Sequence, residues 1–234
     1  MSFGLARGRN LDVTGVGLTL GDLPPLPDDL LGSPESAWID PRGWFADPEH
    51  PFELEIGSGK GAFLVQTAGE RPGTNYLGIE YAHEFYEYTA DRIRRHALPN
   101  IRVLNADAAA FVRFRVPSGA VDVLHLYFPD PWPKSRHHKR RMMQDSFLEQ
   151  AHRIIKPGGE LRIVTDHAGY WAWMEEHFDR WCAPDKAGPR FDREPFTDAH
   201  RAGESGELVG SNFERKYRTE GRPFNAAVLR KPTD

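Results

Sequence analysis

The sequence lacks the features of a disulfide-stabilised, membrane-spanning or secreted protein. Its single cysteine, Cys182, has no partner for an internal disulfide and no C-x-x-C pair for zinc. No stretch approaches the ~20 apolar residues that a membrane-spanning helix requires. The opening residues, MSFGLARGRN, lack the apolar centre and the cleavage site of a secretory signal. We therefore expect a cytoplasmic protein with no membrane partner.

The sequence also lacks an excess of positive charge, because the net charge of the 234-residue chain is −4 at pH 7. The overall charge therefore gives no reason to expect nucleic-acid binding. One segment is the exception: KSRHHKRR, residues 134–141, holds five Lys or Arg and two His. It predicts a local patch for phosphate groups, and an ordinary solvated surface is the alternative. His137 and His138 lack metal-ligand spacing with other side chains, so we expect no metal site.

Two regions of the chain differ in pattern. Residues 1–51 are rich in Pro and Gly and predict an irregular N-terminal arm. Residues 52–234 alternate between strand-like and helix-like segments, which indicates βαβ units and a mostly parallel sheet. Within them MMQDSFLEQAHRIIK predicts a helix ended by the Pro-Gly-Gly that follows, and residues 184–210 resemble a loop. The predicted strands are FELEI, NYLGIE, IRVL, VDVLHLYF, ELRIVT and, as a last antiparallel edge strand, a segment within RPFNAAVLRK.

The first predicted strand leads into a glycine turn, GSGKG, that opens a helix. Gly57, Gly59 and Gly61 let the backbone turn sharply and approach a ligand closely. Their G-x-G-x-G spacing differs from the G-x-G-x-x-G of dinucleotide sites. Glu55 lies in the strand just before the turn, where an acid suits a cationic amino group better than a pyrophosphate. An ordinary tight turn between a strand and a helix is the alternative.

Acids also follow the next two predicted strands. Glu80 ends NYLGIE, where a carboxylate accepts hydrogen bonds from the ribose hydroxyls of adenosine cofactors, NAD included. A solvated acid is the alternative for Glu80. Asp107 follows IRVL and is placed either to accept from an adenine amine or to cap the next helix. Because the carboxyl ends of parallel strands share one edge, we expect these acids at a single site.

The fourth predicted strand ends in a turn with three prolines, FPDPWP. Proline fixes φ and restricts the residue before it, so we expect a stiff turn that presents Asp130 and Trp132. An acid and an indole beside a cofactor pocket suit a planar, hydrogen-bonding substrate such as a base. Packing of Trp132 in the core is the alternative. Later in the chain Asp166 ends the fifth strand, and Ser211 and Glu214 have capping-box spacing, which fits a structural role as well as a functional one.

Together, FPDPWPKSRHHKRR, LEIGSGKG, GIE, TDHAGYWAWM and SNFERK make the chain resemble the bacterial tRNA (guanine-N7)-methyltransferase family, from about Phe52 to Arg230. The resemblance implies an α/β class I methyltransferase fold. This fold is Rossmann-like, with a mostly parallel seven-stranded sheet and helices on both faces. The resemblance also implies S-adenosylmethionine as methyl donor and a guanine in the variable loop of tRNA as substrate.

The resemblance assigns roles to individual residues, and Asp130 is implied to be catalytic. With the three glycines of the turn, the predicted donor site comprises Glu55, Gly57, Gly59, Gly61, Glu80, Asp107 and Asp130. The residues predicted to contact the substrate are Lys134, Asp166, Ser211, Asn212, Phe213 and Glu214. The residues predicted to contact RNA are Arg136, His137, His138, Lys139, Arg140 and Arg141.

Two features depart from the family pattern. Position 211 is Ser where the family typically has Thr, which keeps the hydroxyl, and the first 50 residues do not resemble the family's basic arm. Two other classes stay open from the residues alone. A NAD-type oxidoreductase predicts glycines spaced for pyrophosphate, a spacing that the turn does not have, and a non-catalytic RNA-binding protein keeps the same pocket. The sequence also leaves open whether the chain is a monomer or a homodimer.

Overall fold

Alternating apolar segments and amphipathic helices build a sheet that is covered by helices on both faces. The computed structural model describes residues 10–30, 32–184, 190–196 and 207–233. In that part of the chain the sheet has eight strands, in the spatial order β1-β4-β3-β2-β5-β6-β8-β7. They are β1 Gly17–Thr19, β2 Phe52–Ile56, β3 Asn75–Glu80, β4 Ile101–Asn105, β5 Val121–Tyr127, β6 Ile155–Thr165, β7 Asp192–Glu194 and β8 Asn225–Arg230.

The helices divide between the two faces of the sheet. Alternate strand residues point to opposite sides, so Leu77 and Ile79 join a core cluster with residues of α3, α4 and α5, while Tyr76 joins one with α1 and α2. Burial of both faces explains why the central strands read as nearly continuous apolar runs. The helices of the described chain are α1 Ala62–Glu70, α2 His83–Arg95, α3 Ala108–Phe114, α4 Asp145–Ile154, α5 Ala168–Cys182 and α6 Asn212–Thr219.

The strand order reverses beside β2, and this reversal positions the site. Strands β1 to β6 are parallel, and β2 lies between β3 and β5. The chain moves outward from β2 through β3 to β4 and then returns to β5 on the other side of β2. In open α/β sheets a ligand crevice forms at such a reversal, outside the carboxyl ends of the strands.

The sheet differs from the sequence-based prediction at both edges. The residue patterns identified six of its strands and the resemblance implied seven, whereas the described chain has eight. The two further strands are β1, which comes from the N-terminal arm and pairs with β4, and β7, which pairs with β8. The last strand, β8, is antiparallel to β6 as predicted, but it is not an edge strand, because β7 covers it. Strands β1 and β7 have three residues each, too few for an alternating pattern to be recognised.

Helix α4 is shorter than predicted. Gln144 has extended backbone angles, so the helix begins at Asp145 rather than at residue 142. It ends at Ile154 because Ile155 already pairs with Val121 at the start of β6. The Pro-Gly-Gly segment that was predicted to end the helix therefore lies within β6.

The described part of the N-terminal arm packs on the domain. The Arg115 guanidinium donates hydrogen bonds to the carbonyl oxygens of Pro24 (2.7 Å) and Ala37 (3.3 Å). Apart from β1, the regular structure described in the arm consists of three short 3-10 helices at Leu20–Asp22, Pro34–Ala37 and Pro41–Trp44. Among the helices of the described residues, none has the length and apolar character to cross a bilayer.

Candidate active site

A cavity of about 880 Å³ opens at the carboxyl ends of β2, β3, β4 and β5. Its volume falls within the range of sites for small molecules and cofactors. The site residues predicted from sequence that line it are Gly57, Gly59, Glu80, Asp107, Asp130, Lys139, Arg140, Arg141 and Phe213. The predicted residues that do not line it are Glu55, Gly61, Lys134, Arg136, His137, His138, Asp166, Ser211, Asn212 and Glu214.

The glycine turn has a backbone shape that depends on glycine. Gly57, Gly59 and Gly61 have φ of +76°, +54° and +66°, in the left-handed region that other residues rarely adopt. Gly61 is also confined in space, since a Cβ there would lie 2.4 Å from the Cγ2 of Thr89. The shape of the turn therefore depends on its glycines, and Gly57 and Gly59 line the cavity.

Glu80 is held in place by the backbone at the end of β3. Its Oε2 accepts from the Gly59 amide and its Oε1 from the Ala82 amide, each at 2.8 Å. Burial raises the pKa of the Glu80 carboxyl above its ordinary value, and these amide hydrogen bonds oppose the shift. The carboxylate thus connects the glycine turn to β3 and lines the cavity.

Glu55 is a buried acid with an unused acceptor. Within the described chain its Oε2 atom has no hydrogen-bond partner, and the residue is only 4% exposed. Burial first, and then the neighbouring charge of Glu80, raise the pKa of the Glu55 carboxyl well above its ordinary value. A buried, unpaired carboxyl is costly to the fold. An ammonium group of a ligand would satisfy it, so the residue fits a donor that carries a cationic amine.

Asp107 caps a helix and also lines the cavity. Its Oδ1 accepts from the Ala110 amide at 2.9 Å, which is the hydrogen bond of a helix N-cap at α3. The residue is exposed at the cavity wall. The capping alternative is therefore confirmed, and a contact of this carboxylate with an adenine amine stays a prediction.

The proline turn after β5 is strained at two residues. Phe128 and Trp132 have φ of +51° and +40°, which is uncommon for any residue except glycine. Asp130 lies between them and is exposed on the cavity wall. Trp132 is half-buried and lines the same cavity, so it is not a core residue. The turn thus presents an acid and an indole ring in defined positions.

Arg141 has a different place from the one predicted. It was predicted to contact RNA, but it is only 4% exposed and its Nε donates to the Pro131 carbonyl at 2.9 Å. Its guanidinium lies 5.0 Å from the ring centre of Tyr170 and 5.2 Å from that of Trp173. Such contacts are favourable cation–π geometry. Arg141 therefore anchors the proline turn to α5 rather than presenting its charge to a phosphate.

The rest of the basic segment forms a 3-10 helix, Ser135–Arg140. Lys134, Arg136, Lys139 and Arg140 are all exposed. The Arg140 guanidinium lies 5.0 Å from the ring centre of Trp132, which places this cation over the indole at the cavity. His137 and His138 are half-buried, and their rings pack against Trp132 and Trp173 respectively. The four Lys and Arg side chains thus form the exposed positive surface beside the cavity.

Ser211 and Glu214 have structural roles at the start of α6. The Ser211 Oγ accepts from the Glu214 amide at 3.1 Å, as an N-cap does. The Glu214 carboxylate is fully buried and accepts from the amides of Leu208, Val209 and Gly210. It also pairs with Arg218 at 2.7 Å. The prediction that Glu214 contacts the base is therefore not met in this conformation, because its oxygens are directed into the protein.

Phe213, near the N-terminus of α6, lines the cavity. Its ring is 42% exposed, lines the cavity and lies near Gly59. Asn212 is exposed beside it. Phe213 also belongs to an aromatic group with Phe128 and Tyr217, whose ring centres are 6.4 Å and 6.0 Å from its own. The N-terminus of α6 thus packs against the proline turn that holds Asp130.

Asp166 lies outside the cavity and is paired. Its Oδ2 accepts from the Nη1 of Arg222 at 2.6 Å. Arg222, Tyr217 and Phe128 were not among the residues singled out in the sequence. Arg222 follows a glycine in a short loop, and its partner in the ion pair is 56 residues away. No local pattern relates the two, so only a view of the folded chain finds this pair.

The fold is that of the class I methyltransferases. The structure is similar to that of the 16S rRNA methyltransferase KamB, with a TM-score of 0.54 and 16% identity over 89% of this chain and 94% of that one. It is equally similar to a 30S ribosomal A1408 methyltransferase from an uncultured bacterium, with a TM-score of 0.54 and 16% identity over 89% of this chain and 95% of that one. At these identities the similarity shows the fold alone.

A family model described as "Putative methyltransferase" matches residues 49–221. A tRNA (guanine-N(7)-)-methyltransferase of Streptococcus equi subsp. equi (strain 4047) is 31% identical over 84% of this chain and 88% of its own length. A protein of the same name from Halorhodospira halophila (strain DSM 244 / SL1) is 36% identical over 73% of this chain and 76% of its own. The chain belongs to the tRNA (guanine-N(7)-)-methyltransferase family.

Proposed function

We propose that this chain transfers a methyl group from S-adenosylmethionine to N7 of a guanine in the variable loop of tRNA. The observation that carries the proposal is the position of Asp130. It lies on a stiff turn at the wall of a cofactor-sized cavity, directly before an exposed basic helix. The names of the family members support the same base and the same atom.

The residues at the carboxyl ends of β2 and β3 fit this donor. Glu55 has a buried acceptor without a partner, which suits the amino group of the methionine part. Glu80 is oriented by two amides at the cavity wall, where its carboxylate would accept from ribose hydroxyls. Gly57 and Gly59 leave space for the close approach of a ligand. When bound, S-adenosylmethionine supplies an electrophilic methyl group on a sulfonium.

Asp130 has an electrostatic role in this proposal. Guanine N7 carries an in-plane lone pair and no proton, so no general base is required to expose the nucleophile. Methylation leaves the purine with a positive charge. A carboxylate held beside the ring stabilises that charge as it develops, and a preorganised group does so without reorganisation in the transition state. The stiff turn also helps to align base and donor, which is itself a large contribution to rate.

The exposed cations beside the cavity would contact the phosphates of the tRNA backbone. Lys134, Arg136, Lys139 and Arg140 follow Asp130 within ten residues, and all four are exposed. Contacts of Lys and Arg with phosphates position a nucleic acid but do not read its sequence. Arg140 lies over Trp132 at the cavity, so the backbone of the RNA would pass close to the point where the base enters.

The neighbouring residues Arg140 and Arg141 allow a matched test of this surface. Arg140→Gln is expected to weaken tRNA binding. The slope of the logarithm of the binding constant against the logarithm of the salt concentration should become shallower by about 0.7–0.9 for each lost phosphate contact. Arg141→Gln is expected to lower the free energy of unfolding by about 1–3 kcal/mol, because it removes a buried hydrogen bond and two cation–π contacts. Binding titrations over a range of salt and thermal unfolding of both variants measure the two effects. An unchanged salt slope for Arg140→Gln would make the cluster an ordinary solvated surface.

The proposed reaction is tested by incubating the protein with labelled S-adenosylmethionine and unmodified tRNA, then digesting the RNA and identifying the labelled nucleoside. The expected product is 7-methylguanosine, and it should disappear when the variable-loop guanine is replaced. Label in another nucleoside would keep the methyltransferase but reject guanine N7. Binding of tRNA without transfer of label would indicate a non-catalytic RNA-binding protein.

A further inference from the structure

Arg222 occupies a small polar site formed by α6 and the end of β6. Its Nη1 donates to Asp166 Oδ2 at 2.6 Å, and its Nη2 lies 2.7 Å from Glu220 Oε2. Its guanidinium carbon is 4.3 Å from the centre of the Tyr217 ring. The backbone amide of Arg222 also donates to the Tyr217 carbonyl at 3.0 Å. The planar guanidinium of Arg222 therefore lies over the Tyr217 ring, while its N–H groups contact two carboxylates.

This arrangement has the donor pattern of a bound guanine. The Watson–Crick edge of guanine presents N1–H and the exocyclic amine side by side in one plane, as two N–H groups of a guanidinium do. Carboxylates accept from both, and flipped bases are held by stacking on aromatic rings and by hydrogen bonds to this edge. Adenine has an acceptor at N1 and no amine at C2, so a carboxylate placed here would favour guanine.

The site is continuous with the wall of the cavity. The ring centre of Tyr217 is 5.9 Å from that of Phe128 and 6.0 Å from that of Phe213, and both phenylalanines line the cavity. Asp130 follows Phe128 by two residues. Burial raises the pKa of the Tyr217 hydroxyl, and the nearby carboxylates of Asp166 and Asp130 raise it further. A base stacked on Tyr217 would thus lie beside the proline turn.

Arg222 is the solvent-exposed member of its ion pair with Asp166. Its side chain is 45% exposed, whereas that of Asp166 is only 13% exposed. Its contacts are with Asp166, Glu220 and Tyr217, and an ion pair whose cation is exposed to water costs less to break than a fully buried one. Movement of this one side chain would uncover the carboxylate of Asp166 without unfolding any helix or strand.

We propose that, in the tRNA-free protein, Arg222 occupies the position of the guanine's Watson–Crick edge on Asp166 and must be displaced before the base is read. This inference rests on the proposed function, and it adds Arg222 and Tyr217 to the residues that determine specificity. Arg222 acts as an internal competitor of the substrate. It also keeps the Asp166 carboxylate paired while no base is present.

The test compares two unmodified tRNA transcripts, one with guanine and one with adenine at the target position, binding in the absence of methyl donor. For Arg222→Gln, the preference for the guanine transcript over the adenine transcript is expected to rise about two- to five-fold, because an exposed ion pair no longer competes. Only the guanine transcript gains, since adenine does not use Asp166. Arg222→Lys keeps a cation for phosphates but loses the planar pair of donors, so its preference is expected to rise as well.

Adding Asp166→Asn to Arg222→Gln is expected to abolish the gain in preference. Equal weakening of both transcripts by Arg222→Gln, with restored binding in Arg222→Lys, would overturn the proposal and make Arg222 a phosphate contact. A preference that falls would show that Arg222 assists the reading of guanine. Failure of the proposed function itself is seen separately, as absence of methyl transfer by the unmodified protein.

Discussion

Replacing Asp130 by Asn is expected to lower kcat for tRNA methylation by about 10²- to 10³-fold while tRNA affinity changes by no more than a few fold. The carboxylate lies on a turn that is stiffened by three prolines and tied to α5 through Arg141. In the proposed reaction, this fixed charge faces the cation that forms on the purine. Asparagine keeps the shape of the side chain and removes only this charge. Single-turnover methyl transfer and tRNA binding titrations measure the two quantities separately.

Glu149→Gln is the matched control for Asp130→Asn. Glu149 is an exposed acid that lines the same cavity from α4, away from the strand ends. It tests whether any negative charge near the cavity supports the reaction, and it is expected to change kcat by less than about three-fold. A fully active Asp130→Asn protein would remove this carboxylate from the mechanism. Equal losses of kcat in both variants would show that Asp130 contributes only as one of several negative charges near the cavity.

Glu55→Gln is expected to weaken S-adenosylmethionine binding by about 10- to 100-fold, because it removes a charged hydrogen bond to the donor's ammonium group. The same change is expected to stabilise the ligand-free protein at neutral pH. Burial raises the pKa of Glu55 in the folded chain, so the folded state disfavours the ionised form relative to the unfolded state. This penalty is present above the raised pKa and disappears as the pH falls below the ordinary carboxyl pKa of about 4.3.

Calorimetric titration of the donor and thermal unfolding at several pH values test both parts of this prediction. The stability gain of Glu55→Gln should be largest at alkaline pH and should shrink as the pH falls. Glu53→Gln is the control on the same strand. The Glu53 carboxylate is equally buried but pairs with Arg71 at 2.9 Å and His125 at 2.8 Å, so its neutralisation is expected to destabilise the protein. Unchanged donor affinity in Glu55→Gln would reject Glu55 as part of the donor site.

The residue patterns predicted the central part of this fold well. FELEI and NYLGIE form strands with the predicted bounds, and the glycine turn opens a helix, α1, as predicted. These segments are buried on both faces, so their apolar character reports directly on their position in the sheet. The three-residue strands at the edges were missed because local periodicity carries too little information at that length.

Arg141 shows why composition did not decide the role of each charge. It belongs to a run of cations for which the sequence predicts a single surface. Arg141 lies just after the 3-10 helix, however, and packs against Tyr170 and Trp173. Arg140, its neighbour, is exposed over Trp132. Adjacent residues in a chain point in different directions. The roles of Arg140 and Arg141 therefore differ because one is exposed and the other buried, although both are arginines. For Glu214, capping-box spacing identified the local structure, but the three amides around its carboxylate became visible only in the fold.

By itself, the sequence determined the class of the protein, the strand ends at which its acids lie and the glycines that its first turn requires. These properties depend on short segments, where residue type and spacing act through local sterics and hydrogen bonding. The tertiary structure decided which of the acids share one cavity, which cation is buried and which acid is already paired. The pairing of Arg222 with Asp166 joins residues 56 positions apart. Such contacts depend on the packing of whole helices and strands, and that packing is not contained in any single segment.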